Sequence, residues 1–376
     1  MKGNLTQTDR ALQLQRVHTD VVVAGAGVAG ISVALAAARK GMRVVLINDR
    51  PILGGAASSE IRVGPGGATH SPFNRYARET GIIEEIFNHI QYKAQQTGTW
   101  TWPDFDEVYF DLVLQEKNIQ LFLNTTIYRV NSDEEMNITS IEGIMLRAEK
   151  CIIFEGNLFV DCTGDGTVGY LAGADYRMGR EGKEETQELY APDEPDEGTM
   201  GASLLFTTMY KTSPVTYQAP SWAIKFDELP SFGRLQRSIS KLPDGTICGF
   251  WWMEYGGQLH SIYDDDKVQL NLRRLVYGIW DYIKNSGDFS GVDNQAIDWI
   301  GYLPGKRESR RLMGDYVVTV HDFLQQRHFD DSIGYTGWPI DVHPPEGYRS
   351  LEEGCTHYYI PGITDIPMRA LYSRNI

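Results

Sequence analysis

Nowhere in the 376 residues does an uncharged apolar run approach the 18 or so residues that a membrane-spanning helix needs. The opening Met-Lys-Gly-Asn-Leu-Thr-Gln carries no apolar signal core, so the expectation is a soluble, cytoplasmic chain without membrane contact. Cysteine is scarce. Cys151, Cys162, Cys248 and Cys355 are widely spaced with no Cys-x-x-Cys pair, which suggests neither a disulfide scaffold nor a zinc site and reads as reduced packing residues. No internal repeat of 20 to 50 residues is visible. Positive charge is also short: 35 basic against 50 acidic residues give −15, a field that repels phosphate backbones and argues against nucleic acid as a partner. Eight acids and one base fall between Glu181 and Glu197, which reads as a solvated, flexible surface loop. A 42% hydrophobic content is enough for two buried cores and too high for disorder.

Against these absences stands one strong local pattern. Asp20-Val-Val-Val-Ala-Gly is a short buried strand, Gly25-Ala-Gly27-Val-Ala-Gly30 is a glycine turn, and the alanine-rich run Ile31 to Lys40 favours helix. Arg43-Val-Val-Leu-Ile-Asn48 supplies a second strand, completing a βαβ unit of about 30 residues. A Gly-x-Gly-x-x-Gly motif alone is weak, but between a strand and a helix it becomes a nucleotide-binding signal. Gly25 permits the tight turn, Gly27 lets the backbone approach a diphosphate, and Gly30 allows helix and strand to pack closely. The helix start then offers unpaired N–H groups to the phosphates. An acidic residue usually follows the second strand to hold the ribose hydroxyls. Here Asn48 stands at that position, with Asp49 next to it as the second choice.

Further along, Gln120–Leu123, Thr126–Val130, Ile141–Leu146 and Cys151–Phe154 alternate as β-rich runs, and a small antiparallel layer is expected. Leu158-Phe-Val-Asp161-Cys-Thr-Gly164-Asp165-Gly166 again has the form of a strand entering a glycine turn. From about Gly173 to Gly301 turn residues and aromatics dominate, among them Trp222, Phe226, Phe232, Phe250, Trp251, Trp252 and Tyr255, as in an inserted domain. Within it, Asp264-Asp-Asp266 precedes apolar positions at Val268, Leu272, Leu275, Ile279 and Ile283, which predicts an amphipathic helix. The expected organisation is 1–172, 173–300 as the insert, and 301–376 as a return to the first domain.

The motifs Gly25-x-Gly27-x-x-Gly30, Arg50-Pro-Ile-Leu-Gly54-Gly55-Ala56, Val160-Asp161-Cys-Thr163-Gly164-Asp165-Gly166 and Gly305-Lys-Arg307-Glu-Ser-Arg310-Arg311 together resemble the FAD-dependent oxidoreductases of the glutathione-reductase-like flavoprotein fold. The sequence is most similar to bacterial members often encoded near polysaccharide-degradation genes. The resemblance implies a three-layer α/β, Rossmann-like FAD/NAD(P)-binding domain with an inserted β-rich α+β substrate domain. It implies that Gly25, Gly27 and Gly30 face the FAD diphosphate and Asn48 the ribose. Gly54, Gly55 and Ala56 would pass near the diphosphate and flavin, Thr163, Gly164 and Asp165 would form the second approach, and the backbone at Ile127 would meet the adenine. Family members continue past a segment like Tyr372–Ile376 into an element that closes the flavin site. The expectation is therefore a truncated product, a site completed by a second chain or copy, or an incomplete site.

Flavin chemistry asks the protein for orientation and a proton acceptor, for which histidine is best suited. His343 and His70 rank first, then His357. Arg307, Arg310 and Arg311 form a basic cluster that reads equally as a carboxylate or sugar clamp and as an ion-pair network on a helix from about Glu308 to Gln326. Trp251, Trp252, Tyr255 and Trp338 could stack on a sugar face, though core packing is the commoner use of such residues. The expected function is hydride transfer between a small, polar, sugar-derived metabolite and FAD. An NAD(P)-dependent dehydrogenase and a non-catalytic flavoprotein-fold subunit are the alternatives, and no metal is expected.

Overall fold

Short β-branched runs build the first unit. In the computed structural model, which describes residues 11–225, 239–241, 247–249, 253–351 and 355–376, β2 (Val21–Ala24), β3 (Val44–Ile47), β4 (Ile119–Phe122) and β8 (Leu158–Asp161) form a parallel sheet in the order β4-β3-β2-β8. Val21 pairs with Val44 on one side and Leu158 on the other. Parallel strands are buried on both faces, which is why β2 and β3 read as unbroken apolar runs.

Alternation along β2 and β3 assigns the layers. Val21, Val23, Val44 and Leu46 pack with α1 (Val28–Arg39), α2 (Ile82–Thr97) and α3 (Trp102–Gln115). Val22, Ala24, Val45 and Ile47 face the opposite way, onto Ile127, Ile141, Ile152 and Phe154 of a second sheet. That sheet has the order β1-β7-β6-β5, from β1 (Gln13–His18), β5 (Thr126–Ser132), β6 (Ile138–Met145) and β7 (Lys150–Glu155). The result is the expected three-layer Rossmann-like α/β fold. One run is corrected: residues 119–122 belong to the parallel sheet, paired with β3, and not to the antiparallel layer.

The chain divides into two units, the first of Met1–Ser59, Thr80–Tyr176 and Ser373–Ile376, the second of Glu60–Glu79 and Arg177–Tyr372. The chain thus re-enters the first unit at Ser373, where the sequence suggested residue 301. The segment 60–79, assigned by sequence to the cofactor domain, falls in the second unit.

In the second unit the amphipathic pattern forms the helix Asp265–Asn285, which buries Val268, Leu272, Leu275, Ile279 and Ile283 as expected. Phe206–Tyr210, flanked by strands Ile247–Gly249 and Gln295–Ile300, covers it through Phe206. The helix expected from Glu308 to Gln326 is absent. Only Val320–Leu324 is helical, started by a Thr319/Asp322 capping box. Upstream, Gly314 lies so close to the backbone of Arg369 and Ala370 that a Cβ would sit 2.6 Å from the Arg369 carbonyl oxygen, and tertiary packing sets the path there. The acidic stretch is anchored by its charges, which corrects the flexible-loop reading. Glu181 pairs with Arg311, Asp196 with Arg180, and the Glu188 carboxylate accepts the Val320 N–H at 2.7 Å. Two-stranded ribbons of this unit pair Ile340–Val342 with Thr356–Tyr358 and Ser332–Thr336 with Thr364–Pro367. Among the described residues no helix is long and apolar enough to cross a membrane.

Candidate functional site

The first-unit candidates meet at the carboxyl ends of β2, β3 and β8, where open α/β sheets place their ligands. Gly25 has φ +96°, and a Cβ there would lie 2.1 Å from the Cys162 carbonyl oxygen. A Cβ on Gly30 would lie 1.9 Å from the Gly25 oxygen. These two glycines are therefore required by the fold. Gly27 is different. It caps α1 with φ −66° and ψ 177°, makes no side-chain cap hydrogen bond, and a Cβ on it would meet only the Gly55 Cα, at 4.0 Å. The first turn of α1 is thus uncapped by any side chain, and the position of a Gly27 Cβ is open apart from the Gly55 Cα, as a diphosphate cradle requires.

The Leu-Gly-Gly segment lies against this turn. Gly27 bridges Gly54 in parallel, and the Gly54 N–H donates to the Ala26 carbonyl at 2.8 Å. Gly54 has φ +101° and packs on the buried ring of Tyr109, whose hydroxyl donates to Ala57 O at 3.1 Å. Gly55 follows on the Gly27 side, and Gly55-Ala56-Ala57 forms one 3-10 turn. At the second approach, one Asp161 carboxylate oxygen accepts from the Thr163 N–H at 3.0 Å and hydroxyl at 2.7 Å, the other from the Gly169 N–H at 3.0 Å. Asp161 thereby shapes the Thr163-Gly164-Asp165 turn, a role the sequence reading missed. No atom would crowd a Cβ on Gly164 within 4 Å. Ile127 lies on β5, an edge strand, opposite Gly143.

Asn48 is placed otherwise than expected. It is 4% exposed; its side-chain oxygen accepts the Ala26 N–H at 3.2 Å, and its NH₂ donates to the Arg50 and Ile52 carbonyls. Both amide hydrogens are spent inside the protein, so Asn48 fastens the glycine turn to the strand end and has no N–H to offer a ribose. Asp49 has a side chain 60% exposed, 3.4 Å from the Arg50 guanidinium.

In the second unit, three of the five sequence-chosen catalytic residues share one cluster. Arg307 contacts the Glu254 carboxylate at 3.0 Å, with side chains 7% and 1% exposed. The same Glu254 oxygen lies 2.6 Å from His343 Nδ1. His343 Nε2 lies 2.9 Å from Asp341 Oδ2, an ion-pair contact without hydrogen-bond alignment, and Asp341 Oδ1 lies 3.0 Å from His357 Nε2. Burial alone would lower the His343 pKa, but Asp341 and Glu254 outweigh it and push the value up to about 9. Burial raises the Asp341 carboxyl while His343 lowers it further, so the net shift is downward. Desolvation lowers Arg307 against the pull of Glu254. His343 thus stands between two carboxylates, and both favour its protonated form. Glu254 carried no sequence signal, being 89 residues from His343.

The other candidates lie apart. The basic cluster separates, since Arg311 donates to Gly179 O and Glu181 while Arg307 turns to Glu254. Arg310 is half-buried. His70 ends the 3-10 turn Ala68–His70, and its side chain lies outside the described residues, as do Phe226, Phe232, Phe250, Trp251 and Trp252. Among the described residues Cys151, Cys162 and Cys355 form no disulfide.

Several solved structures are similar at low identity. L-proline dehydrogenase from P. horikoshii is 20% identical, with 40% of this chain and 24% of that one covered at a TM-score of 0.25. For Mycobacterium smegmatis Sdh1 in complex with UQ1 the values are 15%, 43%, 39% and 0.32, and for p-nitrophenol 4-monooxygenase PnpA from Pseudomonas putida DLL-E4 12%, 81%, 70% and 0.38. The chain thus spans less than half the length of the first two. No curated protein matches. The profile of the family described as FAD dependent oxidoreductase matches residues 20–376, and the chain belongs to that family.

Proposed function

We propose that the chain binds FAD along the Gly25–Gly30 turn and works as an FAD-dependent oxidoreductase on a small polar metabolite, sugar-derived as the sequence resemblance suggests. The observation that carries this reading is Gly27: a helix start with uncapped N–H groups, beside a wall of Gly55 backbone that leaves open space. When bound, FAD supplies hydride transfer at its ring system. The protein's part is electrostatic and geometric. The α1 N-terminus attracts the diphosphate even in a chain of net charge −15, because the helix field acts at short range. With the Asn48 amide committed, the exposed Asp49 carboxylate is the group for the ribose hydroxyls, and the turn at Thr163–Asp165 gives the second backbone approach.

The second unit is then the substrate unit. Its charged cluster orders Asp341 and His357, the latter 41% exposed, so the polar groups that meet solvent are held by those that do not. The test is an absorbance spectrum of the purified full chain with a heat-release assay for the cofactor. The reading requires flavin bands, and free FAD must rebind after release. Protein that stays colourless with saturating FAD, or binds NADH in its place, would refute it.

A further inference from the structure

We propose that the ribbon of the second unit binds one divalent ion of the zinc class through Asp341, Cys355 and His357. The site follows from strand periodicity. Asp341 stands directly opposite His357 in the antiparallel register, and Cys355 lies two residues before His357, so a period of two puts their side chains on one face. The carboxylate, thiol and imidazole donor atoms all lie within 4.8 Å of one another. His357 Nε2 and Asp341 Oδ1 approach to 3.0 Å, yet that oxygen is buried and accepts no hydrogen bond. A nitrogen, an oxygen and a sulfur thus converge within the reach of a single ion.

The donor set selects the ion. Magnesium and calcium take oxygen ligands, whereas one thiolate, one imidazole and one carboxylate suit zinc, with three protein ligands leaving a fourth position open. The surroundings fit as well. The second Asp341 oxygen faces the side-chain-buried His343 Nε2 at 2.9 Å, and His343 is held in turn by Glu254, so the ligating carboxylate is fixed from behind. Glu254 also lies 3.0 Å from Arg307 and offsets its charge. Two anionic ligands, Asp341 and a Cys355 thiolate, would balance the dication. With His357 41% exposed, the ion has an entry from solvent. A search for Cys-x-x-Cys passes over this site, because its ligands are Asp341 on one strand and Cys355-x-His357 at the other.

The experiment is metal analysis of the full chain, expressed with added zinc and dialysed against metal-free buffer, with flavin content read on the same samples. The expected result is about one zinc per chain, with a sulfur ligand at about 2.3 Å and lighter ligands at about 2.0 Å by zinc-edge X-ray absorption. Cys355→Ser combined with His357→Gln lowers zinc at least tenfold while circular dichroism and flavin content stay as in wild type. Thr356→Ser, whose side chain is on the opposite face, keeps its zinc. Wild-type protein that neither carries zinc nor takes it up in a micromolar titration would overturn the proposal. So would zinc retained in full by the double variant, or an absorption spectrum without sulfur.

Discussion

Replacing Gly27 by alanine separates the grip on the cofactor from the stability of the fold. Its φ of −66° and ψ of 177° suit any L-residue, and the new Cβ would meet only Gly55 Cα at 4.0 Å, an ordinary contact. The cost to the apoprotein is that of a poorer helix cap, roughly 0.5–1 kcal/mol, which lowers Tm by about 1–4 °C. The methyl group would stand where the diphosphate must approach the α1 N–H groups. Losing one or two hydrogen bonds to a charged group, each worth about 1.5–3 kcal/mol, sets the expected loss at roughly 3 kcal/mol, or about 150-fold in Kd. Calorimetric titration of apoprotein with FAD, beside a thermal melt of the same samples, reads both quantities. An alanine variant with wild-type affinity to within about threefold would refute the argument.

Gly30→Ala should do the opposite: its Cβ would lie 1.9 Å from the Gly25 oxygen, so Tm should fall even without FAD, by thermal melt of apoprotein. Asp161→Ala frees the Thr163 N–H, Thr163 hydroxyl and Gly169 N–H, so at about 1 kcal/mol each it should cost roughly 3 kcal/mol in denaturant titration and weaken FAD binding. Glu254→Gln leaves the buried Arg307 and His343 without their shared carboxylate, with an expected loss of about 3–5 kcal/mol in the same titration. Asp322 tests acid stability. Burial raises its carboxyl, but the Thr319 N–H, Tyr316 hydroxyl and Arg327 bonds outweigh this and hold it below the usual range. A depressed folded pKa gives stability that is present above the unfolded value, about 3.9, and is lost as pH falls through the folded one. Asp322→Asn should therefore flatten the decline of Tm below about pH 4.

How much the sequence revealed depended on the range of the interactions involved. The βαβ unit was legible because a strand, a glycine turn and an alanine-rich helix are contiguous and locally consistent. The run Gln120–Leu123 points to the wrong sheet because three apolar residues in a row do not encode a partner; the pairing of Ile119–Phe122 with β3 does. The helix expected after Glu308 yielded to tertiary contacts, as at Gly314. Residue type alone brought His343, His357 and Arg307 to notice, whereas Glu254 was invisible, being a single acid whose importance comes from contacts 53 and 89 residues away. Asn48 was read from its position in a motif, and only its hydrogen bonds show that the amide is already spent.

A crystal structure of the chain with FAD bound tests the central claim most directly. The account predicts diphosphate oxygens about 3 Å from the N–H groups at the start of α1, beside Gly27 and Gly55. Density for the diphosphate elsewhere, or protein side chains filling that space with FAD at saturation, would contradict it.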